Sequence, residues 1–221
     1  MTTTADPADL RAALLATFRT MSDSGLNKGT SGNASVRLEG GSAFLITPSG
    51  RPTHSLAADD LVVIGAGGRF EGRLEPSSEW RLHHDIYAAF PTAGAVLHAH
   101  SPFATSLACQ RPEIPPFHYL IALFGGTTVR CARYATFGTQ ELSDAVVAAL
   151  QDRRACLLAN HGMVVHGNDL AHALVLAVQF ETLCEHYWRT CQLGEPVLLS
   201  EAEMAAASEQ FARYATLVRP T

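Results

Sequence analysis

Two apolar runs that end in histidine constrain this chain more than any other feature. "AVLHAHS" (95–101) and "ACLLANHG" (155–162) stay apolar up to their histidines, so each is expected to be a buried strand. The segments around them have helical spacing instead. Leu10, Leu14 and Phe18 share a face in a helix that Asp6 and Pro7 open and Gly25 closes. Leu82, Ile86 and Phe90 do the same in "PSSEWRLHHDIYAAFP", with Ser77 or Ser78 as the expected cap. Further helices are expected from Ser101-Pro102, over "TQELSDAVVAALQ", from 168 to about 193 and over "SEAEMAAASEQFARYATLV". Short strands around 35–38, 43–46 and 61–64, and at "MVVH", sit in hairpin-like neighbours between Gly, Pro and Ser turns. The expected fold class is therefore α/β, one domain over residues 1–221 with a mixed or mainly antiparallel sheet and helices packed on it.

Composition removes several classes of function. The sixteen Lys and Arg are scattered and the formal net charge is −5, so no basic stripe marks a nucleic-acid surface. No apolar segment approaches the length of a membrane span. The opening "MTTTADPADL" has neither the basic nor the apolar region of a secretory leader. Five scattered cysteines without a CxxC pair fit reduced thiols, and a cytoplasmic protein is expected.

His98 and His100 are two apart, so in a strand they project from the same face with Cβ atoms roughly 7 Å apart. Both rings can then reach one metal ion. With ten histidines in 221 residues, chance alone gives about half a pair at that spacing, and spacing by itself leaves the question open. Position adds weight, because a strand end opens onto a cleft. "NHG" ends the second strand in the same way, which makes His161 a natural third ligand, with the following glycine permitting a tight turn. Three imidazoles leave a coordination place free, as catalytic sites do. His166 is a further candidate for which a surface strand end is the simpler account. His54, His83, His84, His118, His172 and His186 have no partner at ligand spacing and are expected to be surface or packing residues.

Three turns are rich in hydrogen-bond donors: "KGTSGNAS" (28–35), "TPSG" (47–50) and "PSSE" (76–79). Such turns can cradle an oxyanion, and the last stands at a helix N-terminus, which favours negative charge. A Gly-rich hairpin and a plain serine cap are the simpler accounts of the first and the last. No Walker or Rossmann glycine pattern is present, so a small phosphorylated ligand fits better than a nucleotide. Glu79 is open to two roles: a capping-box partner of the helix, or a carboxylate that moves a proton beside a metal.

"GTSGNASVR", "ITPSG", "PSSEWRLHHDIY", "AVLHAHS", "YATFGTQEL" and "LLANHGMV" together resemble the class II aldolase/adducin family, most closely its L-fuculose-1-phosphate aldolase branch, over about residues 8–217. The resemblance implies one Zn²⁺ per subunit on His98, His100 and His161, with Glu79 as general acid/base and, before substrate arrives, a fourth ligand; Mn²⁺ or Co²⁺ could serve as well. It implies phosphate binding by Thr30, Gly32, Asn33, Ser49, Gly50, Ser77 and Ser78. Tyr119 would be catalytic, reaching the site of a neighbouring subunit and handling the proton on the aldehyde oxygen, and Phe137 and Tyr214 would line an aldehyde pocket. The implied fold is a three-layer α-β-α arrangement around a mainly antiparallel sheet, and the implied assembly is a homotetramer with active sites at subunit interfaces. Ser31 departs from the usual alanine and Ser49 from the common threonine, both keeping small or donor character.

The implied reaction is reversible cleavage of a ketose 1-phosphate, first of all L-fuculose 1-phosphate, to dihydroxyacetone phosphate and a short aldehyde such as L-lactaldehyde. A 5-deoxyribulose-1-phosphate aldolase is the alternative. The ribulose-5-phosphate 4-epimerase branch resembles "SSD" where this chain has "SSE", and carries an aspartate near 118–121 that "HYLI" lacks. Methylthioribulose-1-phosphate dehydratases differ in the outcome of the reaction. Adducin-like scaffolds need no metal, whereas all three histidines and Glu79 stand here.

Overall fold

A computed structural model describes residues 7–41, 43–110 and 113–217. The chain opens with α1 (Pro7–Asp23), then a run of antiparallel strands, β1 (Asn33–Arg37), β2 (Phe44–Ile46), β3 (Val62–Ile64) and β4 (Phe70–Glu71). Next come α2 (Trp80–Ala89), β5 (Ala95–Ala99), α3 (Pro102–Ala108), β6 (Glu113–Ile114) and β7 (Val129–Ala132). The last part holds α4 (Gln140–Ala149), the pair β8 (Ala155–Leu158) and β9 (Gly162–Gly167), then α5 (Leu170–Leu193) and α6 (Glu201–Leu217). Among the described residues one nine-stranded sheet has the order β4-β3-β2-β1-β5-β9-β8-β7-β6. Its neighbours pair antiparallel except β7 with β8, in line with the mainly antiparallel expectation.

Alternation along the central strands builds two cores. Ala95, Leu97 and Ala99 of β5, with Ala155, Leu157, Met163 and Val165, face α1, α3 and α5. Val96, Cys156, Leu158 and Val164 face the other way, onto Leu82 and Ile86 of α2 and Leu142 and Val146 of α4. Both faces of the sheet are therefore apolar and covered, which gives three layers. Residues of the same parity as Val96 point toward α2, and the next two are His98 and His100. The apolar pattern thus fixes where the histidines go.

Several local expectations change. The Asp6 cap and the last residue of the final helix pattern, Val218, lie outside the described residues. The helix after "PSS" begins at Trp80 with Glu79 as its N-cap, and neither serine caps it. Ser77 Oγ instead accepts from the Glu79 N–H at 3.3 Å. The tight turn before β9 is made by Asn160, whose φ is 54°, and not by Gly162. Gly162 is needed for close approach, since a Cβ there would stand 2.4 Å from the Ala99 carbonyl oxygen. His166 is buried, stacked on Phe90 at 5.2 Å, where a surface position was expected.

The helix after the histidine strand is anchored from across the core. Glu181 of α5 accepts from the N–H groups of Phe103 and Ala104 at 2.7 and 2.9 Å and from Ser101 Oγ at 2.6 Å. It fills the role of a cap that Ser101 does not supply. Glu181→Ala should cost about 1–3 kcal/mol of stability, read as a lower urea midpoint with an unchanged slope. An unchanged midpoint would show that these N–H groups find solvent instead.

Candidate metal and substrate site

The β1–β5 register sets Asn33 opposite His98, both on the face toward α2. β5 delivers His98 and, one residue past its end, His100, and the β8–β9 turn delivers His161 beside them. The three rings stand steeply inclined to one another, at 77°, 73° and 64°, with centroids 4.9, 4.8 and 4.9 Å apart. Glu79 descends onto them from the start of α2. His98 Nε2 lies 3.0 Å from His100 Nε2 and 3.1 Å from Glu79 Oε2, and His161 Nε2 lies 3.4 Å from Glu79 Oε1. Four ligands held tetrahedrally at about 2.1 Å from a common centre stand about 3.4 Å apart. The spacing fits a small divalent ion.

Hydrogen bonding supports the same fit. His98 Nδ1 donates to the Met163 carbonyl at 2.8 Å, which turns the Nε2 lone pair inward. Glu79 Oε1 is buried with no hydrogen-bond partner, and a cation at the centre would satisfy it. All the ligand atoms of Glu79, His98, His100 and His161 lie within 4.8 Å of one another.

Electrostatics keep these groups in binding form. Burial alone would raise the pKa of Glu79, but the charge and hydrogen bond of His98, the charge of His161 and the amide of Asn33 hold it well below the carboxylate range. Burial, followed by the charge of His98, pushes His100 and His161 down to about 4. Burial also opposes charging of His98, yet Glu79 and the Met163 carbonyl outweigh it and raise its pKa. A metal therefore meets two imidazoles and a carboxylate held in their binding forms, while His98 is the ligand for which protons compete most strongly.

The cluster floors a cavity of about 350 Å³ whose rim is the three donor-rich turns. Thr30, Gly32 and Asn33 come from the first, Ser49 and Gly50 from the second, Ser77 and Ser78 from the third. Thr47 ties the turns together. Its hydroxyl accepts from the Ala34 N–H at 3.1 Å, and its carbonyl accepts from the Ser77 N–H at 3.1 Å. Asn33 also reaches inward: its side-chain amide donates to Glu79 Oε2 at 3.0 Å. Gly32 has a φ of +74°, and a Cβ there would stand 2.2 Å from Oδ1 of Asn27, a buried amide beneath the loop. Gly32→Ala should cost about 1–3 kcal/mol in strain and raise KM for a phosphorylated substrate more than it lowers kcat. Unchanged KM and stability would remove the loop from the substrate site.

A model of the family described as "Class II Aldolase and Adducin N-terminal domain" matches residues 12–188. The chain belongs to this family. A 5-methylthioribulose-1-phosphate/5-deoxyribulose-1-phosphate aldolase of Rhodospirillum rubrum is 49% identical over 205 residues, 93% of this chain and 92% of that protein. An L-fuculose phosphate aldolase of Escherichia coli K12 is 42% identical over 206 residues, 93% and 95% of the two chains. A solved L-fuculose 1-phosphate aldolase superposes with a TM-score of 0.88 at 38% identity, over 92% of this chain and 96% of that one. Within the class II aldolase/adducin family this chain stands with the aldolases, which are lyases, and has their fold.

The family's other motif residues divide. Phe137, 64% exposed, lines the cavity, and so does Tyr134, 61% exposed, which the sequence did not single out. Tyr119 and Tyr214 do not line the cavity of their own chain. Tyr119 lies in the short 3-10 helix Tyr119–Phe124, 52% exposed and stacked on Phe211 of α6, the helix that also carries the 63% exposed Tyr214. His83 was expected to be a surface or packing residue. It is fully buried and hydrogen-bonded to Asn33 and Ser35 beside the Glu79–histidine cluster. No helix among the described residues is long and apolar enough to cross a membrane.

Proposed function

We propose that this chain catalyses reversible aldol cleavage of a ketose 1-phosphate to dihydroxyacetone phosphate and a short aldehyde. The convergence of three Nε2 atoms and one carboxylate at the floor of a donor-rimmed cavity carries the reading. His98, His100, His161 and, before substrate, Glu79 would hold Zn²⁺. When bound, the ion supplies Lewis-acid stabilisation of the negative charge that develops on the ketone fragment. Tyr119 from a neighbouring subunit takes the C4 hydroxyl proton as the C3–C4 bond breaks, and Glu79 then delivers a proton to C3; in the synthetic direction each transfer reverses. Thr30, Gly32, Asn33, Ser49, Gly50, Ser77 and Ser78 hold the phosphate, which orients the substrate without taking part in the chemistry. Phe137 meets the aldehyde half.

The homotetramer belongs to the same reading. Tyr119 and Tyr214 are exposed and lie outside their own cavity, as residues that complete a neighbour's site would be. Among substrates, the 49% identical relative favours 5-deoxyribulose 1-phosphate or its 5-methylthio analogue. L-Fuculose 1-phosphate is the second reading, carried by the 42% identical relative. The test is a panel of these ketose phosphates with Zn²⁺-loaded protein, scored for released dihydroxyacetone phosphate. Cleavage of at least one supports the assignment; dehydration or epimerisation without cleavage overturns it.

A further inference from the structure

Glu79, His83 and Tyr87 are spaced by four along the start and body of α2, so they share one helix face. That face lies on β1, where Asn33 and Ser35 are spaced by two and point toward it. The donors can be assigned from one end. An ionised carboxylate only accepts, so the Asn33 amide nitrogen donates to Glu79 Oε2 at 3.0 Å. The amide oxygen then faces His83 Nε2 at 2.5 Å, which makes Nε2 the donor. His83 Nδ1 must accept, and the Ser35 hydroxyl donates to it at 2.6 Å. Ser35 Oγ in turn takes the hydrogen of the Tyr87 hydroxyl at 2.8 Å. Every donor in this buried chain points toward Glu79.

His83 and Ser35 are fully buried. An imidazole at that depth is costly unless both nitrogens are bonded, and a leucine or phenylalanine would fill the same space without that cost. Both nitrogens are spent on β1 groups, one of which is the amide that holds Glu79. We propose that His83 is a positioning residue of the metal centre: acting through Asn33, it fixes the Glu79 carboxylate toward His98 and His161. The inference rests on the metal-centre part of the reading above and not on the identity of the sugar.

The test is a double-variant cycle read by Co²⁺ affinity, measured by competition with a chromophoric chelator. Partners of this kind are worth about 10–100-fold in metal affinity. His83→Phe should therefore weaken Co²⁺ binding about 10–100-fold in the wild-type background and leave the affinity of Glu79→Ala protein unchanged. His83→Gln, which keeps a donor toward Asn33, should recover most of the loss. Should His83→Phe not fold, Ser35→Ala removes the donor to Nδ1 and should weaken binding about fivefold, again only when Glu79 is present. Equal losses with and without Glu79 would reduce His83 to packing, and no loss in either background would equally overturn the inference. If wild type cleaves no ketose phosphate while the cycle shows this coupling, the aldolase reading fails and the positioning role stands.

Discussion

Glu79→Gln is expected to lower ketose phosphate cleavage by about 10²–10⁴-fold while the protein stays folded and still binds metal. The substitution keeps the size of the side chain and one oxygen, so Asn33 can still donate to it. It removes the charge. With that charge go the carboxylate that carries the proton to C3 on cleavage and the interaction that raises the pKa of His98. The three histidines remain, and they supply enough ligands for a divalent ion. Single-turnover cleavage, paired with metal analysis of the same sample, checks the expectation. Turnover within threefold of wild type would take the proton-transfer role away from Glu79.

The second large effect comes from His161→Ala. A Lewis acid contributes several kcal/mol to the barrier, and each ~1.4 kcal/mol is tenfold in rate. Loss of this ligand should thus lower cleavage on the order of 10³-fold or more, with little change in stability, because His161 sits in the β8–β9 turn and belongs to neither apolar core. Chelation of the wild-type protein should mimic the variant, and added Zn²⁺ should restore only the wild type. The sign with pH follows from His98. Its pKa is raised by Glu79 and the Met163 carbonyl, so protons compete with metal for it from a higher pH than for an ordinary imidazole, and metal affinity should fall as pH falls. Cleavage that survives both His161→Ala and chelation would end the metal account.

Much of this site could be read along the chain. Ligands at the ends of apolar strands show themselves, because the apolar period fixes which face each histidine takes and the run's end fixes its depth. His98, His100 and His161 were legible for that reason. The three donor-rich turns that line the cavity were legible only as a set, since each alone is an ordinary Gly or Ser turn. Glu79 was half legible: its place before a helix matches a capping box, and the structure turns its carboxylate to the histidines instead. His83 was not legible, because its partners Asn33 and Ser35 are 50 and 48 residues away and meet it only when β1 lies under α2. In the hairpin that presents His161, a glycine rule pointed to Gly162, while the left-handed residue is Asn160. Backbone proximity, not turn geometry, demands that glycine.

The most direct measurement is an anomalous difference map from crystals of the Zn²⁺-loaded protein, collected on either side of the zinc edge. A single strong peak per chain is expected, about 2.0–2.1 Å from Nε2 of His98, His100 and His161. A peak anywhere else, or an empty centre at saturating zinc, would contradict the assignment of these three imidazoles to one ion.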